Sequence, residues 1–372
     1  MKILICTPEY PPKASGIGIV VKSVEEKFKR RGYECIICSP TGPDVQLGNQ
    51  LYLEKFGGLG LLYFWECVRK TFNNNTNYDL VWLHNPLFIA KNPFNESLIT
   101  IHTTYEGFSS RSKLSGHSGW IKAYYYMMKI IEKYSLTTCL KPNITFTSIS
   151  KPVVEELQSY GIKSKIAIIP NGTNTEQFFI HPNKNEIREY FNIPQNKIVL
   201  VWVGRLIEEK RPDVLIKLFS TFRTSSNKLF LVVVGNGKQR KPIEKLAEEL
   251  QLKNIMFTGE LNYSLMPKIY ACCDYYIISS IYEGQPLTLL EALSSGLPCI
   301  VSDIPNLRIV EESNTGIVVD FSDIETSAQK IFEYVSQDNS KYSLNARKYA
   351  EENLDWEIIS GKYLEELKKL NN

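Results

Sequence analysis

Residues 274–303 read DYYIISSIYEGQPLTLLEALSSGLPCIVSD, and this stretch decides the fold. An apolar run, DYYIISS, leads into a loop with one glycine and one proline. A stretch with apolar residues at helical spacing follows, and then a glycine and a second apolar run, PCIVSD. Short, continuously apolar runs are typical of strands covered on both faces, as in parallel sheets. The stretch therefore predicts one strand–helix–strand unit.

Similar runs recur along the whole chain. They are KILICT, CIICS, LVWLH, LITIH, ITFTSIS and KIAIIP in the first half, and KIVLVWVG, LFLVVVG, NIMFTG, DYYIISS, PCIVSD and GIVVD in the second. Helically spaced stretches such as VVKSVEEKFKRRG lie between them, and this alternation predicts an α/β fold with doubly wound parallel sheets. Because 372 residues exceed the ~250–300 at which single cores stop growing, we expect two Rossmann-like domains.

The polar, strandless segment 174–197 marks the predicted junction. We expect a first domain over residues 1–178 and a second over 179–355. The last helical stretch, 356–372, follows the final strand of the second half. Its apolar spacing alone allows it to pack on either sheet.

Composition places the chain among soluble globular proteins, with 43% hydrophobic and 22% charged residues. No apolar run approaches the ~20 residues that span a bilayer, and MKILICTPEYPP is too short for a secretory signal. We therefore expect a cytoplasmic protein. Most of the eight cysteines lie in apolar runs, where reduced cysteine packs as a small hydrophobic residue.

Charge is distributed unevenly. The net charge is +3, but residues 1–185 carry 21 Lys and Arg against 14 Asp and Glu. Within this basic half, residues 111–134 interleave cations with aromatic side chains. The cations are Arg111, Lys113, Lys122, Lys129 and Lys133, and the aromatic residues include Trp120 and the three consecutive tyrosines 124–126. On an amphipathic helix this mixture indicates peripheral contact with an anionic membrane; the alternative is an ordinary surface helix with tyrosines packed inward.

Ligands of open α/β sheets bind beyond the carboxyl ends of the strands. Arg205 and Lys210 follow KIVLVWVG, and two cations at this spacing can hold a diphosphate. The alternative is an exposed basic loop that pairs with Glu208 and Glu209. Gly235 ends LFLVVVG and lets backbone N–H groups approach a phosphate, although a plain tight turn accounts for it equally well.

Two glutamates stand out in the stretch quoted first. Glu283 lies in the loop, and Gly284 lets the backbone approach a ligand. Pro286 suits the first turn of the following helix, whose N-terminus can hold an anion or sugar hydroxyls. Glu291 lies inside that apolar helix, so we expect it to have a hydrogen-bonding partner. A sugar or ribose would supply paired hydroxyls; a structural salt bridge to lysine or arginine is the alternative.

The first half has its own candidates. Gly16 and Gly18 lie between the first strand and a helix, where they would allow an anionic group or acceptor to approach; a simple tight turn is the alternative. His84 ends LVWLH and His102 ends LITIH, so both lie at carboxyl ends of predicted strands. Such histidines are as often structural as catalytic.

Four stretches, GRLIEEKRPDVLI, LVVVGNGKQRKPIEKLA, IIPNGTNTEQF and EGQPLTLLEALSSGLPCIVSD, resemble retaining glycosyltransferases of the GT-B fold, specifically glycosyltransferase family 4 (glycosyl transferases group 1). The similarity runs in order from Met1 to the final helix. The resemblance implies two Rossmann-like domains that face each other across a cleft. It also implies that the final helix crosses back to the first domain.

The resemblance implies roles for the second-half residues. Glu283 would contact hydroxyls of the donor sugar, and Glu291 the ribose of the nucleotide. Arg205 and Lys210 would neutralise the leaving diphosphate.

Backbone and first-half roles follow in the same way. Amides around Gln285, Pro286 and Leu287 would hold sugar and phosphate oxygens. Gly16 would approach the diphosphate, and His102 would lie near the C6 hydroxyl of the sugar. One departure is that Ser15 precedes Gly16, where the family commonly has two glycines.

The predicted activity is transfer of a hexosyl group, with retention, from a UDP- or GDP-linked sugar. The acceptor would be a hydroxyl of a glycan or lipid-linked molecule, in polysaccharide, glycolipid or glycoconjugate synthesis. No Asp-x-Asp occurs, so we expect no metal at the diphosphate. We also expect no cofactor and no nucleic-acid partner. A nucleotide-sugar epimerase or hydrolase of the same architecture is the alternative. A dinucleotide-dependent oxidoreductase would need a complete Gly-x-Gly-x-x-Gly fingerprint, which neither half contains.

Overall fold

The computed structural model describes residues 1–12, 16–73, 77–111, 119–140, 143–225 and 228–370. Ser15 and Lys113 lie outside these residues, as does the side chain of Arg111. The chain forms two compact units, one of Met1–Gly172 with Trp356–Asn372 and one of Thr173–Asp355.

The second unit begins before the predicted boundary at residue 179. Phe178 is fully buried in the core of that unit, and Ser294 Oγ donates to its carbonyl at 2.7 Å. Thr173 forms a parallel bridge with Asp355. The segment from Thr173 to Phe178 is therefore built into the second unit.

The first unit contains a parallel sheet in the order β3-β2-β1-β4-β5-β6-β7. Its strands are β1 (Lys2–Cys6), β2 (Glu34–Ser39), β3 (Val45–Gln46), β4 (Leu80–His84), β5 (Glu96–Ile101), β6 (Asn143–Ser148) and β7 (Ile166–Ile168). Every predicted run of the first half overlaps one of these strands. Sequence reasoning missed β3, because two residues are too short to form an apolar run.

The described helices of this part of the chain are α1 (Gly16–Arg30), α2 (Gln50–Phe56), α3 (Gly58–Thr71), α4 (Tyr105–Arg111), α5 (Gly119–Thr138) and α6 (Lys151–Ser159). Helices α2 and α3 meet at Gly57, which has a left-handed φ of +53°. The N–H of Gly58 donates to Tyr124 Oη at 2.7 Å, so α5 is held against this junction.

The second unit contains a parallel sheet in the order β10-β9-β8-β11-β12-β13. Its strands are β8 (Ile198–Val203), β9 (Leu229–Val234), β10 (Ile255–Gly259), β11 (Tyr275–Ile278), β12 (Cys299–Ser302) and β13 (Gly316–Val319). The strand order reverses between β8 and β11, and such a switch point is where open α/β sheets bind ligands.

The described helices of the second unit cover both faces of its sheet. They are α7 (Lys184–Tyr190), α8 (Pro212–Ser225), α9 (Arg240–Glu249), α10 (Met266–Ala271), α11 (Leu287–Ser294), α12 (Ile309–Glu312), α13 (Ile324–Val335) and α14 (Ser340–Asn353). One apolar core contains α11 residues, and a second, on the other face, contains α8 and α13 residues. The alternation of strand and helix thus buries both faces of β11 and β12.

The last helix, α15 (Trp356–Lys369), belongs to the first unit. The ring of Tyr363 packs on Trp82, with centroids 4.6 Å apart. Glu357 pairs with Lys27 at 2.7 Å and with Arg31 at 3.0 Å. Apolar contact and ion pairs both hold the helix on this unit.

The eight cysteines are free thiols, and all except Cys67 are buried. Within the described ranges, none of the helices is both long and apolar enough to cross a membrane.

Candidate active site

Two loops meet at the switch point of the second sheet. The loop after β8 contains a 3₁₀ turn, Glu208–Lys210, and the loop after β11 leads to α11. Ile281 N–H donates to the Glu209 carbonyl at 3.0 Å, and Ser279 Oγ donates to the Lys210 carbonyl at 3.0 Å. Backbone and side-chain hydrogen bonds thus hold the two loops together.

Lys210 and Glu283 form an ion pair between these loops. The Lys210 side chain is 21% exposed and that of Glu283 only 7%. Oε1 of Glu283 accepts from Lys210 Nζ and from Ser280 Oγ, the latter at 2.6 Å. Asn306 Nδ2 donates to the Glu283 backbone carbonyl, also at 2.6 Å. The pairing of Lys210 with Glu208 or Glu209 that sequence left open is therefore not the one formed.

Arg205 lies one residue beyond Gly204, at the start of the same loop. Its side chain is exposed, and no described residue forms an ion pair with it. The structure thus provides one cation held by a carboxylate and a second, exposed cation near the same strand end.

Helix α11 starts close to Glu283 in sequence. Pro286 is its N-cap residue rather than part of its first turn, and no described side chain caps this helix start. Leu289 N–H donates to the Pro286 carbonyl at 3.1 Å. Gly284 is buried, and Gln285 and Leu287 are half-buried. An uncapped helix start carries N–H donors and partial positive charge, which suit an anion.

Glu291 is 5% exposed and bonds to two tyrosines. Tyr263 Oη donates to Oε1 and Tyr270 Oη to Oε2, each at 2.9 Å. Burial raises the pKa of Glu291 to about 7, and the two hydroxyl donors only partly offset it. The expectation of a hydrogen-bonding partner is met, but by tyrosines; among the described residues no lysine or arginine pairs with it.

The backbone explains why residue 235 is glycine. Gly235 has a φ of +130°, and a Cβ there would lie 1.9 Å from the Gly204 carbonyl oxygen. Its N–H donates to the Gly259 carbonyl at 2.8 Å. Close backbone packing alone accounts for this glycine, which matches the tight-turn alternative. A role in nucleotide binding stays a prediction.

The carboxyl edge of the first sheet brings the two histidines together. His84 Nδ1 and His102 Nε2 lie 2.9 Å apart, and both side chains are buried. Gly16 and Gly18 are residues of α1 itself, not of a preceding loop, because the helix begins at Gly16. No described atom would lie within 4 Å of a Cβ at Gly16, so packing does not require glycine there.

Sequence reasoning missed several partners of the predicted residues. Ser280 and Asn306 each follow a strand of the second sheet by a few residues, so a scan of all strand ends would have found them. Tyr263 and Tyr270 lie far from Glu291 in sequence, and no local pattern signals that contact.

No three His, Cys, Asp or Glu side chains cluster closely enough, within the described part of the chain, to hold a metal ion.

Two family profiles match successive parts of the chain. The profile described as "Glycosyltransferase Family 4" matches residues 14–177, and "Glycosyl transferases group 1" matches residues 183–353. The chain therefore belongs to the family 4 glycosyltransferases and has the GT-B fold.

Two individual proteins are similar to the chain in sequence. The chain is 23% identical over 328 residues to an alpha-monoglucosyldiacylglycerol synthase of Streptococcus pneumoniae, covering 83% of this chain and 72% of that protein. It is 31% identical over 169 residues to UDP-Gal:alpha-D-GlcNAc-diphosphoundecaprenol alpha-1,3-galactosyltransferase of Escherichia coli, covering 44% and 43%.

A solved structure is similar over the whole length. Sucrose-phosphate synthase from Thermosynechococcus elongatus superimposes with a TM-score of 0.79 at 20% identity, covering 100% of this chain and 99% of that one. At this identity the likeness concerns the fold.

Proposed function

We propose that the chain is a retaining glycosyltransferase that moves a hexosyl group from a nucleoside-diphosphate sugar to a hydroxyl of a glycan or lipid-linked acceptor. The observation that carries the proposal is the Lys210–Glu283 ion pair at the switch point of the second sheet. A partly buried pair beside an uncapped helix start combines a cation, hydrogen-bond donors and a carboxylate acceptor. A nucleotide sugar needs all three.

The diphosphate would be held by Lys210, Arg205 and the N-terminus of α11. Lysine supplies a point charge, arginine a planar fork and the helix start its backbone N–H groups. Because Glu283 already pairs with Lys210, the ammonium group is held in position before the donor binds. Arg205 is exposed and is free to turn toward a phosphate.

The two glutamates would bind hydroxyl groups. Oε2 of Glu283 has no partner among the described residues and can accept from the donor sugar. Each oxygen of Glu291 accepts from one tyrosine and keeps a second lone pair for a ribose hydroxyl.

Transfer would then proceed on one face of the sugar. The bond from C1 to the diphosphate oxygen breaks, and the bond from C1 to the acceptor oxygen forms on the same side. The acceptor proton passes to the departing phosphate. Cations preorganised at the diphosphate stabilise the charge that develops in the transition state. Glu283 is assigned to hydroxyl binding and not to covalent attack, because a one-face substitution needs no nucleophilic carboxylate.

A lipid-linked acceptor is supported by both relatives, whose names specify a diacylglycerol glycolipid and a diphosphoundecaprenol-linked sugar. Helix α5 carries exposed apolar side chains that suit a membrane surface: Trp120 is 86% exposed, Tyr126 63% and Ile130 54%. Lys122 and Lys133 on the same helix are exposed as well. Tyr124 instead packs inward on Gly58, as the alternative of an ordinary surface helix expects.

Leu51 and Phe56 of α2 and Leu59 of α3 are exposed apolar side chains as well. We therefore place the protein at the cytoplasmic face of an anionic membrane, and its unpaired cysteines fit a reducing compartment. Co-sedimentation with phosphatidylglycerol vesicles at low salt tests this placement. Absence of binding would eliminate membrane attachment, and Trp120→Glu should weaken binding that does occur.

A donor screen tests the activity. The change in melting temperature is measured with UDP-, GDP- and ADP-sugars, and products are then analysed with the stabilising donor. We expect one nucleotide class to stabilise the protein, and transfer to require an added acceptor. Rapid consumption of donor without acceptor would instead indicate the epimerase or hydrolase alternative. Trapping of a glycosyl–Glu283 adduct by mass spectrometry would contradict the one-face mechanism.

A further inference from the structure

The histidine pair of the first unit lies where its sheet would bind a ligand. His84 is the last residue of β4, and His102 directly follows β5. The two strands are adjacent and parallel, and His84 is in register with Thr100. The rings are nearly parallel, at 22° with centroids 5.2 Å apart, and the N···N distance of 2.9 Å is that of a hydrogen bond.

Both rings are neutral. Burial lowers the pKa of His102 to about 3, and burial together with His102 lowers that of His84 well below its ordinary value. Each ring therefore carries one proton at neutral pH, and one of the two facing nitrogens donates to the other.

The surroundings of His84 decide the direction of this bond. His84 Nε2 is wholly buried and has no partner among the described residues. A proton on Nε2 would leave a buried N–H donor without an acceptor, and buried N–H groups are seldom left unpaired. A proton on Nδ1 has an acceptor, because Nδ1–H can donate to His102 Nε2. His102 must then carry its own proton on Nδ1.

The backbone holds His102 in place for this bond. Its N–H donates to Asn85 Oδ1 at 2.7 Å, and Asn85 adopts a left-handed φ of +47°. The ring of His84 packs on Trp82, with centroids 4.3 Å apart. His102 Nδ1 has no described partner either, but unlike His84 Nε2 it is not completely buried. It is the ring nitrogen left to meet a ligand.

We infer that His84 is a positioning residue that locks His102 as its Nδ1–H tautomer, so that His102 donates a hydrogen bond to a hydroxyl oxygen of the sugar substrate. The substrate part of this inference rests on the proposed function. The locked tautomer also means that His102 is a hydrogen-bond donor and not a general base at neutral pH.

Ring ¹⁵N chemical shifts from long-range ¹H–¹⁵N correlation spectra test the tautomers without any substrate. The chain has four histidines, so single variants assign every ring. We expect both His84 and His102 to be protonated on Nδ1 from pH 6 to pH 8. A proton on Nε2 of His102, or a cationic ring in this range, would overturn the inference. If no nucleotide sugar is ever turned over, the proposed function fails, while these spectra still decide the tautomer.

Two substitutions separate positioning from simple structural support. His84→Phe keeps a ring against Trp82 but removes the donor, and His84→Asn keeps an amide donor near the place of Nδ1. We expect His84→Phe to give mixed His102 tautomers and about a tenfold lower kcat/KM, the effect of one lost hydrogen bond. We expect His84→Asn to restore most of both.

His181→Phe, a change at a histidine outside the pair, is the matched control and should leave both readouts unchanged. Equal losses of activity in the Phe and Asn variants, with the His102 tautomer unaltered, would show that His84 acts only as packing and would overturn its positioning role.

Discussion

The carboxyl edge of the first sheet holds a pair of neutral rings, and the same edge of the second sheet holds an ion pair. Both edges are built from parallel strands whose order reverses nearby, so topology does not cause the difference. His84 and His102 face each other, no described residue supplies a counter-ion, and burial keeps both rings uncharged. Lys210 and Glu283 instead form an ion pair, in which each side chain is the counter-ion of the other. A neutral donor suits sugar hydroxyls, whereas a held cation suits phosphate.

Of the variants considered, Lys210→Ala should have the largest effect, because it removes the cation that distinguishes the second sheet edge from the first. Removing the cation leaves the buried Glu283 carboxylate without its counter-ion, so we expect turnover to fall about 10³-fold and the free energy of unfolding to fall by about 3 kcal/mol. Steady-state kinetics and chemical denaturation measure the two effects. The double variant Lys210→Met/Glu283→Gln should recover stability but not turnover. Near-normal turnover in Lys210→Ala would remove this residue from the site.

A second test concerns a carboxylate of the second unit that lacks a cation. The pKa of Glu291 is raised from its ordinary 4.5 to about 7 by burial. Between these two pH values the unfolded chain loses the proton and the folded chain keeps it, so stability falls as pH rises through this window and levels off above it. Glu291→Gln has no carboxyl group to titrate at this position, so its stability should not show this fall.

The free energy of unfolding of Glu291→Gln, minus that of the protein with Glu291, should therefore rise by about 3 kcal/mol between pH 5 and pH 8.5. Urea denaturation at both pH values measures it. Tyr270→Phe should extend the pH-dependent loss of stability to higher pH, because it removes the donor to Oε2. A pH-independent difference between Glu291→Gln and the unmodified protein would contradict the raised pKa.

A third test compares one glycine of each unit by its effect on stability and turnover. Gly235→Ala places a methyl group on the Gly204 carbonyl at a strained φ and should cost about 2–3 kcal/mol of unfolding free energy. Gly16→Ala meets no described atom within 4 Å. It should leave stability nearly unchanged and lower donor turnover. Melting curves and kinetics distinguish the two, and loss of stability without loss of turnover in Gly16→Ala would exclude Gly16 from donor binding.

The smallest expected effect belongs to Arg205, whose side chain is exposed. Arg205→Gln should weaken donor binding about tenfold at low salt, and the difference should shrink as salt screens the charge. Titration calorimetry at two ionic strengths measures it. Arg205→Lys should keep part of the affinity, and Lys217→Gln, which removes a surface cation paired with Asp213, is the control. Unchanged affinity in Arg205→Gln would argue for an ordinary exposed loop.

The sequence by itself determined the alternation of strand and helix, the two parallel sheets and the family. Continuous apolar runs mark strands buried on both faces, and a glycine or proline at several junctions marks where the chain turns. The strand ends were readable as well, so Lys210, Glu283 and His102 were found as candidates one at a time. These are local properties, and each depends on a few neighbouring residues.

The tertiary structure decided how the candidates pair. Lys210 and Glu283 are 73 positions apart in sequence, and His84 and His102 are 18 apart; only the parallel register of adjacent strands brings each pair together. The tyrosines on Glu291 and the backbone contact that requires Gly235 are likewise long-range. Charge state and tautomer follow from these contacts, because burial sets the cost of a charge and the partner decides whether that cost is offset.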